Sequence, residues 1–345
     1  MKQTIFAFFL IYVSCLPLQA QKKFASAGEY MTNISQEFRK ITEAYLFYNS
    51  EIAHSKKARA VEKSRQELIT TVVIAKKRTQ SLSDWEGNAS LRDAAVEFFR
   101  IYEVVLKEDY EQIMDLEDIA EQSYDAMEAY MTVKEMAYDK LNDANDAVEK
   151  AEDTFAEAFK VNVIKNENDK LSKKAKDAGE VNKYHRMVYL VFFKAYKQET
   201  YLTEAQKSGN VSAMQQNQGN LLKVAEEQLN YWDTIPKFRG SSALKEACHS
   251  YLLFAQKEAK EADFVSFFLE KEKFEVAQKQ FKATSKPNKE EVAEYNTAVD
   301  SYNDLVNKSN KDNNTWNNAR AKGLNEWNNE SQNFVSKNVP RYNKK

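Results

Sequence analysis

Two stretches of the chain, Glu51-Ile52-Ala53-His54 and Glu246-Ala247-Cys248-His249, place a carboxylate and an imidazole three residues apart. On a helix that spacing puts both side chains on one face. Two such pairs with two further glutamates make the di-iron site of carboxylate bundle proteins. Here the pairs lie in opposite halves of a 345-residue chain. Ile52 and Cys248 fall on apolar stripes, so the histidines are expected to point aside. No metal and no cofactor is therefore expected, and a di-metal carboxylate redox protein stays as a third functional reading.

Cys248 as a nucleophile would need an oriented base beside it. The residue 153 positions earlier is Ala95, a plain core position, which favours a buried and inert thiol. The sequence holds three His and no Gly-rich phosphate loop, Gly-x-Ser-x-Gly or Cys-x-x-Cys. No catalytic residue is assigned, and the chain is read as a non-enzyme.

One stretch occurs twice. Leu82-Ser83-Asp84-Trp85-Glu86-Gly87-Asn88-Ala89-Ser90-Leu91 returns as Ile235-Pro236-Lys237-Phe238-Arg239-Gly240-Ser241-Ser242-Ala243-Leu244, at an offset of 240 − 87 = 153 residues. Arg92-Asp93 and Lys245-Glu246 follow at matched positions. A structural role accounts for the pattern. Leu82 and Trp85 close one end of a bundle, the glycine permits the turn, and Ser90 or Asn88 caps the next helix. The competing reading makes Trp85 and Phe238 the lips of ligand sites, one in each repeat. Further along, Phe264, Phe267, Phe268, Phe274 and Phe281 would form a partner-contact patch if several of them are exposed. Trp85, Phe238, Phe264 and Phe268 are accordingly the candidate contact residues.

The elements that must carry these residues are helices. Tyr30, Ile34, Phe38, Ile41, Tyr45, Tyr48 and Ile52 follow steps of four and three, which hold one helical face. Similar stripes run from Ala58 through Leu68 to Leu82, from Leu91 to Leu116, and from Met127 to Phe159. A turn between the third and fourth is placed near residues 115–120. The polar stretch 165–170 reads as a link. Tyr184 to Ala205, Met214 to Trp232, and Leu244 to Val265 then echo the first three stripes, with a break at Ser208-Gly209-Asn210. The second half departs from the first in its Phe- and Lys-rich stretch 264–281, a loop at Ser285-Lys286-Pro287-Asn288, and a last helix from Lys289 crowded with Asn.

The expected fold is thus all-α: two tandem antiparallel four-helix-bundle-like units from an internal duplication, at residues 21–166 and 167–345. Composition agrees. Only 7 Gly and 4 Pro leave too few turns for an all-β protein, and a formal charge of −2 offers no basic field for nucleic acid.

Residues 1–20 read as a signal peptide: Lys2, an apolar run over 5–13 too short to span a bilayer, and a small residue at Ala20 before Gln21. Acylation at Cys15 is the alternative, with Ser14 suited to it and Tyr12 standing where such signals carry leucine. After cleavage Cys248 alone remains, so no intramolecular disulfide is expected.

Three stretches carry a family resemblance: Glu-Ile-Ala-His-Ser-Lys-Lys-Ala-Arg-Ala-Val-Glu at 51–62, Glu-Asp-Ile-Ala-Glu-Gln-Ser-Tyr-Asp-Ala-Met-Glu-Ala-Tyr at 117–130, and residues 188–201. With these the chain resembles an uncharacterised family of exported bacterial surface proteins, some of them predicted lipoproteins. The resemblance implies an extracytoplasmic, all-helical protein and brings no activity or binding residues. The leading expectation is a non-catalytic envelope or surface protein that binds another protein or surface component. A receptor for a glycan or small apolar molecule is the alternative.

Overall fold

The computed structural model describes residues 24–55, 57–109, 123–163 and 169–343. Among these the chain is all-helical, and the extended pairing is limited to two isolated bridges. The helices are α1 (Ala27–His54), α2 (Ala58–Gln80), α3 (Ser90–Val104, continued by a π-helical turn Val105–Asp109), α4 (Tyr124–Ala158), α5 (Lys170–Ser208), α6 (Val211–Thr234), α7 (Ala243–Glu261), α8 (Ser266–Ala283) and α9 (Lys289–Asn338). The expected turn at 115–120, with Leu116, lies outside the described residues, as does most of the link at 165–170.

Several helix starts are written locally. Ser26, Ser123, Asp169, Asn210 and Asn288 each accept a backbone N–H of the first turn, and Asn288 with Glu291 completes a reciprocal capping box. Apolar stripes then fold these helices onto two separate cores. Tyr30, Ile34, Leu68, Val72, Leu91, Phe99 and Phe155 anchor the first, drawn from α1 to α4. Val188, Phe192, Leu202, Leu221, Tyr251 and Trp327 anchor the second, drawn from α5, α6, α7 and the C-terminal half of α9. Met127 and Tyr130 at the start of α4 belong to the second core, whereas Phe155 near its end belongs to the first. α4 therefore ties the two together.

The repeated stretch forms the same turn twice. Trp85 and Asn88 exchange both backbone hydrogen bonds, at 3.0 and 2.8 Å, and Phe238 and Ser241 do so at 3.0 and 2.9 Å. Both central residues have positive φ in each case: 49° and 82° at Glu86-Gly87, 50° and 86° at Arg239-Gly240. Two successive left-handed residues define the mirror-image tight turn, where glycine is unstrained. The surroundings match as well. Tyr30 Oη donates to the Ser83 carbonyl at 3.1 Å, and Tyr184 Oη to the Pro236 carbonyl at 2.9 Å. Arg92 Nη1 reaches the Leu82 carbonyl at 3.1 Å, and Lys245 Nζ the Ile235 carbonyl at 2.7 Å. A Phe from the last helix of each core closes the ring cluster: Phe155 5.6 Å from Tyr30, and Phe334 5.5 Å from Tyr184. The tyrosines are 184 − 30 = 154 residues apart, one more than the turns. The link at 55–57 is one residue longer than that at 209–210, which removes the extra position before the turn.

α1 departs from its expected stripe at the C-terminal end. Ile52 is 49% exposed, whereas Leu46, Asn49 and Ser50 are buried. Long-range contacts turn this end: Asn182 Nδ2 donates to Asn49 Oδ1, Tyr342 N to Ser50 Oγ, and His54 Nε2 meets the Val339 carbonyl at 3.1 Å. A local periodicity cannot register a partner some 290 residues away.

The second half also carries an arm. α8 contributes no buried residue and pairs with the N-terminal part of α9. Their seam is a heptad: Phe267, Phe274 and Phe281 on α8 against Tyr295, Tyr302 and Ser309 on α9. Phe274 lies over Tyr302 with centroids 4.6 Å apart and planes 4° apart, and Phe281 over Tyr295 at 4.3 Å and 8°. At 50 residues α9 runs about 75 Å, long enough to serve arm and bundle together.

The matched tyrosine bonds lead to a quantitative expectation. Tyr30→Phe and Tyr184→Phe should each lower stability by about 1 kcal/mol. Their effects should add in the double variant, because the sites share no partner. Urea unfolding followed by circular dichroism reads both quantities.

Candidate functional site

Each residue singled out from the sequence has a definite place. Trp85 is half-buried with its ring 5.9 Å from Tyr30, and Phe238 is buried against Tyr184 and Phe334. Both rings cap bundle ends. Phe264 is 4% exposed and belongs to the second core. Phe267, Phe268, Phe274 and Phe281 are half-buried, the last two stacked on tyrosines of α9. Phe264, Phe274 and Phe281 thus spend their rings within the molecule, Phe267 and Phe268 keep part of theirs toward a cleft described below, and the five do not form one exposed patch. His54 bonds to Val339, and His249 stacks on Trp232 at 4.2 Å. Among the described residues no three His, Cys, Asp or Glu gather as a metal site. Cys248 is fully buried near the Val188 carbonyl, and burial pushes its thiol up to about 12.

The group of polar residues that the structure does assemble was not singled out from the sequence. Glu199 of α5, Glu258 of α7 and Arg320 of α9 meet in the second core. Arg320 Nε donates to Glu199 Oε1, and its Nη2 donates to Glu258 Oε1 at 2.5 Å. The glutamate side chains are 3% and 0% exposed, the arginine 15%. Two carboxylates share one guanidinium, so full ionisation would leave an uncompensated charge in the core. Burial accordingly pushes both carboxyls up against the pull of Arg320, Glu258 to about 8. At neutral pH the carboxyl pair as a whole therefore tends to keep a proton. Burial, and then the two carboxylates, raise the Tyr251 phenol well above its ordinary value as well. Tyr251 reaches this place because α7 and α9 cross closely: a Cβ at Gly323 would stand 3.2 Å from its ring.

A signal for this cluster was present. Cys248, Tyr251, Ala255, Glu258 and Ala262 advance by three and four, so Glu258 occupies an apolar-stripe position. Glu199 fills the gap between Ala195 and Leu202, and Arg320 that between Trp316 and Trp327. Charges standing on core stripes of three helices are the mark of a buried ion network. The residue matching Glu258 at the 153 offset is Val105, so the first core lacks this carboxylate.

Above the cluster opens a cleft of about 420 Å³ between the C-terminal end of α5, the α7–α8 elbow and the middle of α9, with Arg320 in its wall. Its volume falls within the roughly 300–1,000 Å³ of small-molecule sites. Thr203 and Gln206 line it from α5, Phe264, Phe267 and Phe268 from the elbow, and Ser309, Asn313 and Asn317 from α9. The elbow is held from below, where Gln218 Nε2 lies 3.0 Å from both the Ala259 and Ala262 carbonyls. Asp263 accepts the Ser266 N–H at 3.1 Å. Phe268 packs on Gly209, where an added Cβ would come within 3.2 Å of the ring. A second open cleft, between α3 and α4, is lined by Phe98, Ile101 and three alanines together with Glu97, Lys140 and Asp143.

Compared with known protein families, curated proteins and solved structures, the chain matches none. The cleft must be read from its own chemistry.

The carboxyl pair makes stability depend on pH, with a definite sign. Glu258 has a folded value near 8 against an ordinary 4.5, so its contribution is complete below 4.5 and lost as pH rises through about 8. His185, held by burial at about 4 against 6.5, contributes the opposite slope between those two values. The two offset each other from 4.5 to 6.5, and Glu258 acts against stability from 6.5 to 8. The urea midpoint of the wild type should therefore fall between pH 6.5 and 8. In Glu258→Gln, whose amide mimics the neutral acid, that fall should disappear.

Proposed function

We propose that the chain is an exported, non-catalytic binding module of two tandem helical units with a duplicated origin, in which the second unit carries recognition. Four matched features support the duplication: the turn, the tyrosine bond beneath it, the cation on the preceding carbonyl and the closing phenylalanine. Export rests on the apolar run at 5–13 and on Ala20, with a lipid anchor at Cys15 as the alternative. The resemblance to exported surface proteins points the same way. The partner on this reading is an envelope or surface component.

The observation that carries the binding reading is the cleft at the foot of the arm. Among the described residues the α8–α9 arm has no counterpart in the first half; α8 buries no residue fully, and the base of the arm supplies walls of a cleft on which amide and hydroxyl side chains converge. Reactive chemistry draws no support from the titratable groups. The Cys248 thiol is raised to about 12 and buried, and Glu199 and Glu258 are closed away from solvent.

The full chain, purified from native envelopes under mild conditions, should carry a bound component visible by native mass spectrometry and should begin at Gln21. Asn313→Trp, which fills the cleft, should lose that component while keeping the wild-type unfolding midpoint. A wild type that carries nothing, or a variant that retains the same component, would sink the assignment of recognition to this cleft.

A further inference from the structure

We infer that the cleft at the foot of the arm takes a neutral saccharide of one or two sugar rings. This rests on the proposed reading of the cleft as the recognition site and adds the class of ligand.

The first ground is the hydrogen-bonding complement of the walls. Arg320 Nη1 donates to Asn317 Oδ1 at 2.5 Å, which fixes that amide and leaves its Nδ2 hydrogens to donate to a ligand. Gln206 Nε2 donates to Asn313 Oδ1 at 2.8 Å, which leaves the Gln206 carbonyl oxygen to accept. Asn313 Nδ2 in turn reaches Ser309 Oγ at 3.4 Å, across one turn of α9. The amides are thus held by partners of their own, and binding does not have to order them. A wall of pre-set donors beside acceptors suits groups that do both at once. Hydroxyls do, and a sugar ring carries several in fixed directions.

Charge is the second ground. Arg320 is already engaged by Glu199 and Glu258, and Asp263 by Lys308 at 3.6 Å and by the Ser266 N–H. A carboxylate or phosphate ligand would meet an arginine whose charge is spent. A cationic ligand would find Asp263, whose charge is likewise taken up by Lys308 and the Ser266 N–H. Lys207, exposed on the rim, remains, and a lone lysine in water contributes little. Neutral ligands are what this balance leaves.

The third ground is the hydrocarbon side. Phe267 and Phe268 stand edge to face, with centroids 5.2 Å apart and planes at 79°, beside Phe264. They offer ring surface in two directions next to the amides. A pyranose has a C–H face and an O–H rim, and this pairing of aromatic surface with amide donors meets both.

The test uses the full mature chain with maltose, cellobiose and N,N′-diacetylchitobiose, followed by calorimetry and saturation-transfer NMR. Glucuronic acid and glucosamine serve as charged counterparts. At least one neutral disaccharide should bind with a submillimolar Kd. Asn317→Ala and Gln206→Ala, on different helices, should each weaken it about tenfold without shifting the urea midpoint, so one misfolded variant does not void the result. Absence of binding by all three disaccharides overturns the inference, as does binding that neither substitution weakens. If a charged counterpart binds more tightly and the same substitutions abolish it, the assignment of a neutral ligand is wrong while the cleft remains a recognition site. That outcome separates this inference from the reading on which it rests.

Discussion

Arg320 stands where α5, α7 and α9 meet, with a buried carboxylate on either side, and the architecture of the second half depends on that contact. Removing one partner of a buried pair costs about 3–5 kcal/mol, because the survivor stays buried without compensation. The contact also sets register. The α9 seam repeats every seven residues through Tyr295, Tyr302, Ser309 and Trp316, so a slip of one heptad would keep the seam's spacing and lose only a ring pair. Such a slip would set Asn313 or Trp327 against Glu199 and Glu258, leaving the carboxyls without a cation. The guanidinium thereby works with Trp327, Phe334 and Gly323 to place a 50-residue helix along its length.

From that placement follows the geometry of the cleft. Arg320 fixes Asn317 directly, and the register it imposes brings Asn313 to Gln206 across the gap between α9 and α5. The same register sets Phe274 over Tyr302 and Phe281 over Tyr295, which holds the arm as a two-helix extension although α8 buries nothing fully. Core electrostatics, arm position and cleft shape are consequences of a single arrangement. Among the described residues of the first half, Val105 stands where the second has Glu258, and no comparable arm is found.

Much of the helical layout was legible. The stripes through Ile34, Val72, Ala95, Val188, Leu221 and Ala255 all face inward, because side-chain period and helix geometry are local properties. The tight turns at Gly87 and Gly240 were legible for the same reason, since few other residues accept that backbone. Ile52 was misplaced, and the departure is instructive. The end of α1 is covered by Asn182, Val339 and Tyr342, which reverse which of its faces is wet. The phenylalanines of 264–281 were seen as a group, but their partners Tyr295 and Tyr302 depend on how the hairpin folds back. Glu199, Glu258 and Arg320 stand on core stripes, but a single charge at such a position reads locally as an interrupted stripe, and only the crossing of three helices brings the three together.

The sequence by itself determined the helices, their caps, the two left-handed turns and the recurrence of a stretch 153 residues on. Each of these is decided within a few residues of chain, by periodicity, hydrogen-bonding side chains and the allowed values of φ. Tertiary structure alone decided which charges share a core, where the arm leaves the bundle, and that amides more than 100 residues apart line one cleft. Those outcomes depend on how whole helices cross and slide, and their energies are sums over contacts that no local window contains.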